Sequence, residues 1–125
     1  MLYNPYMKYQ QIQVETASQE RLILMMYDGA IKFIKLGKEA IEKRDFSSAN
    51  EYIKRAEDIV LELKMSLNMD AGGIAKNLSA VYDYLYSRLI EANFNKDTEM
   101  LEEVLNHLTD FRNTWVEVFK RAKNP

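Results

Sequence analysis

The 125-residue chain has no cysteine, two prolines, four glycines, one histidine and one tryptophan. Without cysteine there is no disulfide frame, no thiolate metal site and no thiol nucleophile. Both prolines stand near the ends, Pro5 and Pro125. A proline inside a helix costs about 3 kcal/mol, so the long proline-free interior favours helix throughout. Gly29, Gly37, Gly72 and Gly73 are too scattered to build a phosphate loop or a dinucleotide fingerprint. No run approaches the roughly 18 apolar residues of a membrane span, and the basic stretch followed by an apolar one that marks a signal peptide is missing. A cytoplasmic location is therefore expected. An excess of positive charge is missing too: the net charge is −2 and the pI near 5.5, which argues against a nucleic-acid partner.

What is present is an ordinary globular composition, 47% hydrophobic and 29% charged, in a length that makes one domain. Apolar periodicity predicts four helices, at about 18–43, 46–68, 73–94 and 98–122. The second reads Phe46, Ala49, Ile53, Ala56, Val60, Leu63, Leu67 and the fourth Leu101, Val104, Leu108, Phe111, Trp115, Val118, Ala122, both in alternating steps of three and four. The first offers Leu22, Met26, Ala30, Phe33, Gly37 and Ala40 or Ile41, and the third Ile74, Leu78, Val81, Leu85, Leu89 and Ala92. Ser18, Asp45 and Asp97 have the chemistry of helix N-caps, and Asp70 to Gly73 forms a break. Short connections make neighbouring helices antiparallel, so an all-α, up-down four-helix bundle over 18–125 is expected.

Two helices carry more apolar surface than one bundle seam needs. Tyr84 points nearly opposite Tyr82 and Tyr86 at about 100° per residue, and Ile59, Val60, Leu61 and Leu63 crowd the second helix. Residues 1–17 form an aromatic arm in which Tyr3, Tyr6, Tyr9 and Ile12 recur every third position and Lys8 is the only charge before Glu15. Disordered tails are poor in aromatics and rich in charge, so this arm is expected to pack on the bundle. Its burial gain and its ordering cost are of similar size, which makes it displaceable by a partner.

No catalytic group, metal site or cofactor cradle is assembled. The sole histidine, His107, has Glu103 four residues before it, whereas carboxylate-bridged di-metal bundles place a Glu three residues before a His on each of two helices. Asp28 and Asp83 follow Tyr27 and Tyr82; if either points inward it needs a partner such as Arg112, a lysine or a tyrosine hydroxyl, which is structural pairing rather than catalysis. Gly29 and Gly37 inside the first helix point to close helix approach.

Asn4-Pro5-Tyr6-Met7-Lys8-Tyr9-Gln10, Val14-Glu15-Thr16-Ala17-Ser18 leading to Leu22 through Ile31, Ile74-Ala75-Lys76-Asn77-Leu78, Tyr82-Asp83-Tyr84, and Leu108, Arg112, Thr114 and Trp115 together resemble the FliS-type flagellin export chaperones. Gln19 departs from the proline often found after the capping serine in that family. The resemblance implies a bundle that binds the disordered C-terminal segment of flagellin, keeps it from polymerising early and delivers it to the flagellar type III secretion apparatus. It also implies an N-terminal arm that occupies part of the binding surface when no client is present.

Helix-in-groove recognition would place client contacts at Ile53, Ile59 and Leu63 on the second helix and at Leu78, Tyr82, Leu85 and Tyr86 on the third, with Tyr6, Tyr9 and Ile12 as the self-capping arm. No nucleic acid, membrane, small-molecule substrate or cofactor is expected. The competing readings are a chaperone or adaptor for another secreted client, a self-associating bundle, and, from a different class, a di-metal bundle enzyme that lacks its ligands.

Overall fold

The computed structural model describes residues 5–123, with side chains from Ser18 onward apart from Ala71 and Lys123. Four helices, α1 (Pro5–Glu42), α2 (Phe46–Met65), α3 (Gly73–Asn95) and α4 (Thr98–Lys123), form the expected up-down bundle, with a 3₁₀ turn at Met69–Ala71 before α3. Each helix packs on the next, and α4 closes the ring on α1.

The caps explain the breaks. Asp45 accepts from the Ser48 backbone N–H at 3.2 Å and starts α2, and Asp97 accepts from the Glu99 and Met100 N–H groups at 2.9 and 3.2 Å to start α4. Gly72, at a φ of 85° that side chains disfavour, turns the chain into α3. Ser18 caps nothing, because the helical backbone runs unbroken from Pro5, whose missing N–H and fixed φ suit a first helical residue. Residues 5–17 thus continue α1 in backbone. Tyr6, Tyr9 and Ile12, the expected self-capping side chains, lie outside the described side chains.

The seams of α2 and α4 follow the predicted stripes at Ala49, Ile53, Ala56, Val60 and Leu63 and at Leu101, Val104 and Leu108, all buried. The first stripe is rotated by about one residue from the predicted one. Ala30, Gly37 and Ala40 of the predicted stripe face inward, but in place of Leu22, Met26 and Phe33 they are joined by Ile23, Tyr27 and Ile34, and Leu22 is 56% exposed, because α1 is apolar on two adjacent stripes and only this one brings the Tyr27 hydroxyl to polar partners. On α3 the inward stripe is Ala75, Leu78, Tyr82, Leu85, Leu89 and Ala92; Ile74 points out and Val81 is half-buried. The close approach expected at Gly37 is real, since a Cβ there would lie 2.8 Å from Ile53 Cγ1.

Candidate functional site

The helices differ in length, and that difference opens the bundle at one end. α2 has 20 residues and α4 has 26, a difference of about 9 Å at 1.5 Å per residue. Where α2 stops, a cleft of about 250 Å³ remains between Ile23 of α1, Leu63 and Leu67 at the end of α2, Leu78 and Tyr82 of α3, and Trp115 of α4. Met65, Met69 and Ile74, at the same end, are 76%, 50% and 74% exposed. Methionine is flexible and polarisable, so such a rim adapts to varied apolar partners.

The floor of this groove is polar in a controlled way. Tyr27 and Tyr82 reach across the diagonal of the bundle until their hydroxyls are 2.5 Å apart, and the Trp115 indole N–H donates to the Tyr27 hydroxyl at 3.1 Å. Burial, reinforced by the contact with Tyr82, pushes the Tyr27 phenol far above its ordinary range, and burial raises Tyr82 as well. Both therefore remain protonated in any physiological medium. The aspartates that follow them do not point inward. Asp28 is paired on the surface with Arg112 of α4 at 2.8 Å, and Asp83 with Lys64 of α2 at 2.6 Å, which is structural pairing between adjacent helices.

A second apolar hollow of about 300 Å³ lies along the α3–α4 seam between Val81, Leu85 and Phe111. A polar clasp crosses beside it. The Tyr84 hydroxyl donates to Glu103, and Arg88 donates to the same carboxylate through Nε at 3.2 Å and Nη2 at 2.6 Å. The Tyr84 and Arg88 hydrogen bonds hold the Glu103 carboxyl below its ordinary value, with the nearby His107 a smaller influence. A third hollow, between α1 and α2, is lined by Glu39, Lys43, Asp45 and Ser48 and belongs to the cap and the Lys43–Glu39 ion pair of that turn.

The predicted contact residues divide by depth. Leu63, Leu78 and Tyr82 line the end groove. Ile59 and Tyr86 are half-buried on the flanks of the core. Ile53 and Leu85 are fully buried; Ile53 packs against Gly37 away from any groove, and Leu85 forms the base of the α3–α4 hollow. Ile23, Leu67, Ile74 and Trp115 line the groove without being among the predicted contacts. Trp115 belongs to the fourth-helix seam, and the sign of its role is that this seam continues past the level where the second helix ends.

Among the described residues no group of three or more His, Asp or Glu side chains could hold a metal ion, and no helix is long and apolar enough to cross a membrane. The architecture is that of a helical interaction protein with open apolar grooves. The chain matches the family described as flagellar protein FliS over residues 2–122. It is 42% identical over 122 residues to the flagellar secretion chaperone FliS of Bacillus subtilis strain 168, covering 98% of this chain and 91% of that protein.

The flagellar secretion chaperone FliS of Salmonella typhimurium is 34% identical over 120 residues, 91% of this chain and 89% of its own. That of Vibrio cholerae is 31% identical over 107 residues, with 85% and 79% covered. The chain belongs to the FliS family. Its relatives are named as flagellar secretion chaperones, a non-enzymatic family, and this protein is not an enzyme.

Proposed function

We propose that this protein is a cytoplasmic export chaperone that holds the disordered C-terminal segment of flagellin in its apolar grooves, prevents premature polymerisation and hands the client to the flagellar type III secretion apparatus. The observation that carries the reading is the open end groove with Ile74 in its wall and Met65 and Met69 exposed near the same end, in a chain whose relatives are named flagellar secretion chaperones. Apolar client residues at helical spacing would bury that rim, and the client would bear its own ordering cost on binding. Ile59, Leu63, Leu78, Tyr82 and Tyr86 are the contacts assigned to it, with Ile53 and Leu85 supporting them from the core. Tyr6, Tyr9 and Ile12 would cover the same surface in the absence of client.

The test is calorimetric titration of a flagellin C-terminal segment from the same organism into the full-length protein and into a chain beginning at Glu15. Saturable 1:1 binding supports the reading, and tighter binding to the shortened chain supports the self-capping arm. Because Trp115 is the only tryptophan and stands in the groove wall, its fluorescence should change in the same titration. A folded protein that binds no flagellin segment in either form would sink the proposal.

A further inference from the structure

Hydrophobic packing does not explain why the groove floor carries phenol hydroxyls. An indole N–H can only donate, and each phenol donates one proton and accepts at its oxygen. Trp115, Tyr27 and Tyr82 thus hold three protons, and their two contacts use two of them. Among the described residues nothing accepts the third.

Both phenols are buried, Tyr27 at 0% and Tyr82 at 2% exposure, and a buried donor without an acceptor is costly; if Tyr82 donated to Tyr27, the stranded proton would belong to Tyr27, which the groove does not reach. If Tyr27 donates to Tyr82, the three groups form one directional chain, Trp115 to Tyr27 to Tyr82, in which each bond polarises the next. The free proton is then on Tyr82, and Tyr82 lines the groove whereas Tyr27 does not. Of the groove's other polar side chains, Ser66 Oγ donates its proton to the Leu63 carbonyl at 2.7 Å, and Asn68, whose Oδ1 accepts from the Asp70 N–H at 3.1 Å, is an exposed residue at the mouth of the groove rather than on its floor.

We infer that the Tyr82 hydroxyl is a specificity-determining donor that takes a free backbone carbonyl of the bound segment. The inference rests on the chaperone reading above. Carbonyls within a helix are already satisfied, and only the last four are free. The segment therefore ends a helix, or leaves it, over Tyr82. Apolar contacts supply affinity with little direction, so this one bond sets the register in which the segment lies.

The test uses full-length protein, its Tyr82→Phe and Tyr27→Phe variants, and a flagellin C-terminal peptide scanned with backbone amide-to-ester replacements, which weaken one carbonyl acceptor at a time. In the wild type one ester position should lose affinity on the order of tenfold, as expected for one hydrogen bond. Tyr82→Phe should bind the unmodified peptide more weakly by a similar factor and lose that position-specific penalty. Tyr27→Phe should retain the penalty.

Equal affinity of Tyr82→Phe and wild type would overturn the donor role and leave the chaperone reading standing. A weaker Tyr82→Phe with an unchanged ester profile would make Tyr82 a packing residue only, which also overturns it. Should Tyr82→Phe not fold, the wild-type scan decides alone, and the absence of any sensitive position refutes the inference. No binding of the unmodified peptide to wild type removes the chaperone reading and this inference with it.

Discussion

Gly29 and Gly37 lie two turns apart on one helix, and replacing each by alanine should have opposite consequences. A helix-interior glycine costs about 1 kcal/mol relative to alanine, so both substitutions gain this same term. What differs is the space. At Gly29 a Cβ would sit 3.4 Å from Ile59 Cδ1, an ordinary contact with the far end of a flexible side chain. At Gly37 it would sit 2.8 Å from Ile53 Cγ1, an atom one bond from the branch point of a fully buried isoleucine.

In a helix that branch has one strongly preferred rotamer, so it cannot swing aside, and α1 and α2 must part. Overpacking of this kind costs roughly 1–3 kcal/mol. Gly29→Ala should therefore stabilise by up to about 1 kcal/mol, and Gly37→Ala should be the less stable of the two by roughly 1–3 kcal/mol. Because propensity cancels in the comparison, that difference isolates the clash. At about 4 °C per kcal/mol for a chain of this size, the melting temperatures should differ by roughly 4–12 °C, read by circular dichroism. An Ile53→Ala background, which deletes the clashing atom, should abolish the penalty of Gly37→Ala. A Gly37→Ala protein as stable as Gly29→Ala, or a penalty that survives in Ile53→Ala, would refute the reasoning.

Four further outcomes follow from local environments. Burial, then the neighbouring Asp58, raises the Glu57 carboxyl above its ordinary 4.5, so the folded state holds this proton more tightly than the unfolded chain. Its contribution to stability is then greatest below 4.5 and falls as pH rises through the raised value; Glu57→Gln should stabilise the protein at neutral pH and flatten that part of a melting-temperature profile. Asp45 is shifted the other way by its hydrogen bonds to the Ser48 hydroxyl and N–H, so its cap contributes above the ordinary 3.8 and is lost as pH falls. Asp45→Ala should lower the melting temperature at neutral pH and lose its effect in acid. Leu85→Ala should cost about 2–5 kcal/mol in urea unfolding, whereas Ile74→Asp, at a position 74% exposed, should leave folding nearly unchanged and weaken flagellin binding.

Much of the bundle was legible because α2 and α4 each carry one unbroken apolar stripe and their starts carry Asp45 and Asp97, whose capping is a matter of local chemistry. The rotation of α1 was not legible. Leu22, Met26 and Phe33 make as good a stripe as Ile23, Tyr27 and Ile34, and choosing between them requires knowing which side of α1 meets Ile53. Periodicity within one helix carries no information about its neighbour. For the same reason Tyr27-Asp28 and Tyr82-Asp83 could be flagged as unusual dipeptides, but their division of labour could not be read. Each tyrosine enters the core and finds the other, while each aspartate ties the outside of its helix to the next.

The groove was harder still, because its walls are made of the same residue types as the core. Leu63 and Leu78 continue the stripes that hold Val60 and Leu85, and nothing in their identity marks where packing ends and binding surface begins. The boundary is set by length: α2 stops at Met65, short of the predicted 68, while α4 runs on to Lys123. Beyond that level an apolar stripe has no fourth helix to meet. A segment binding there would complete the missing corner of the bundle, so the proposed client surface is an interrupted continuation of the core that folds the protein. Substitutions at Leu63 and Tyr82 should consequently affect folding and binding together, and only rim positions such as Ile74 should separate the two.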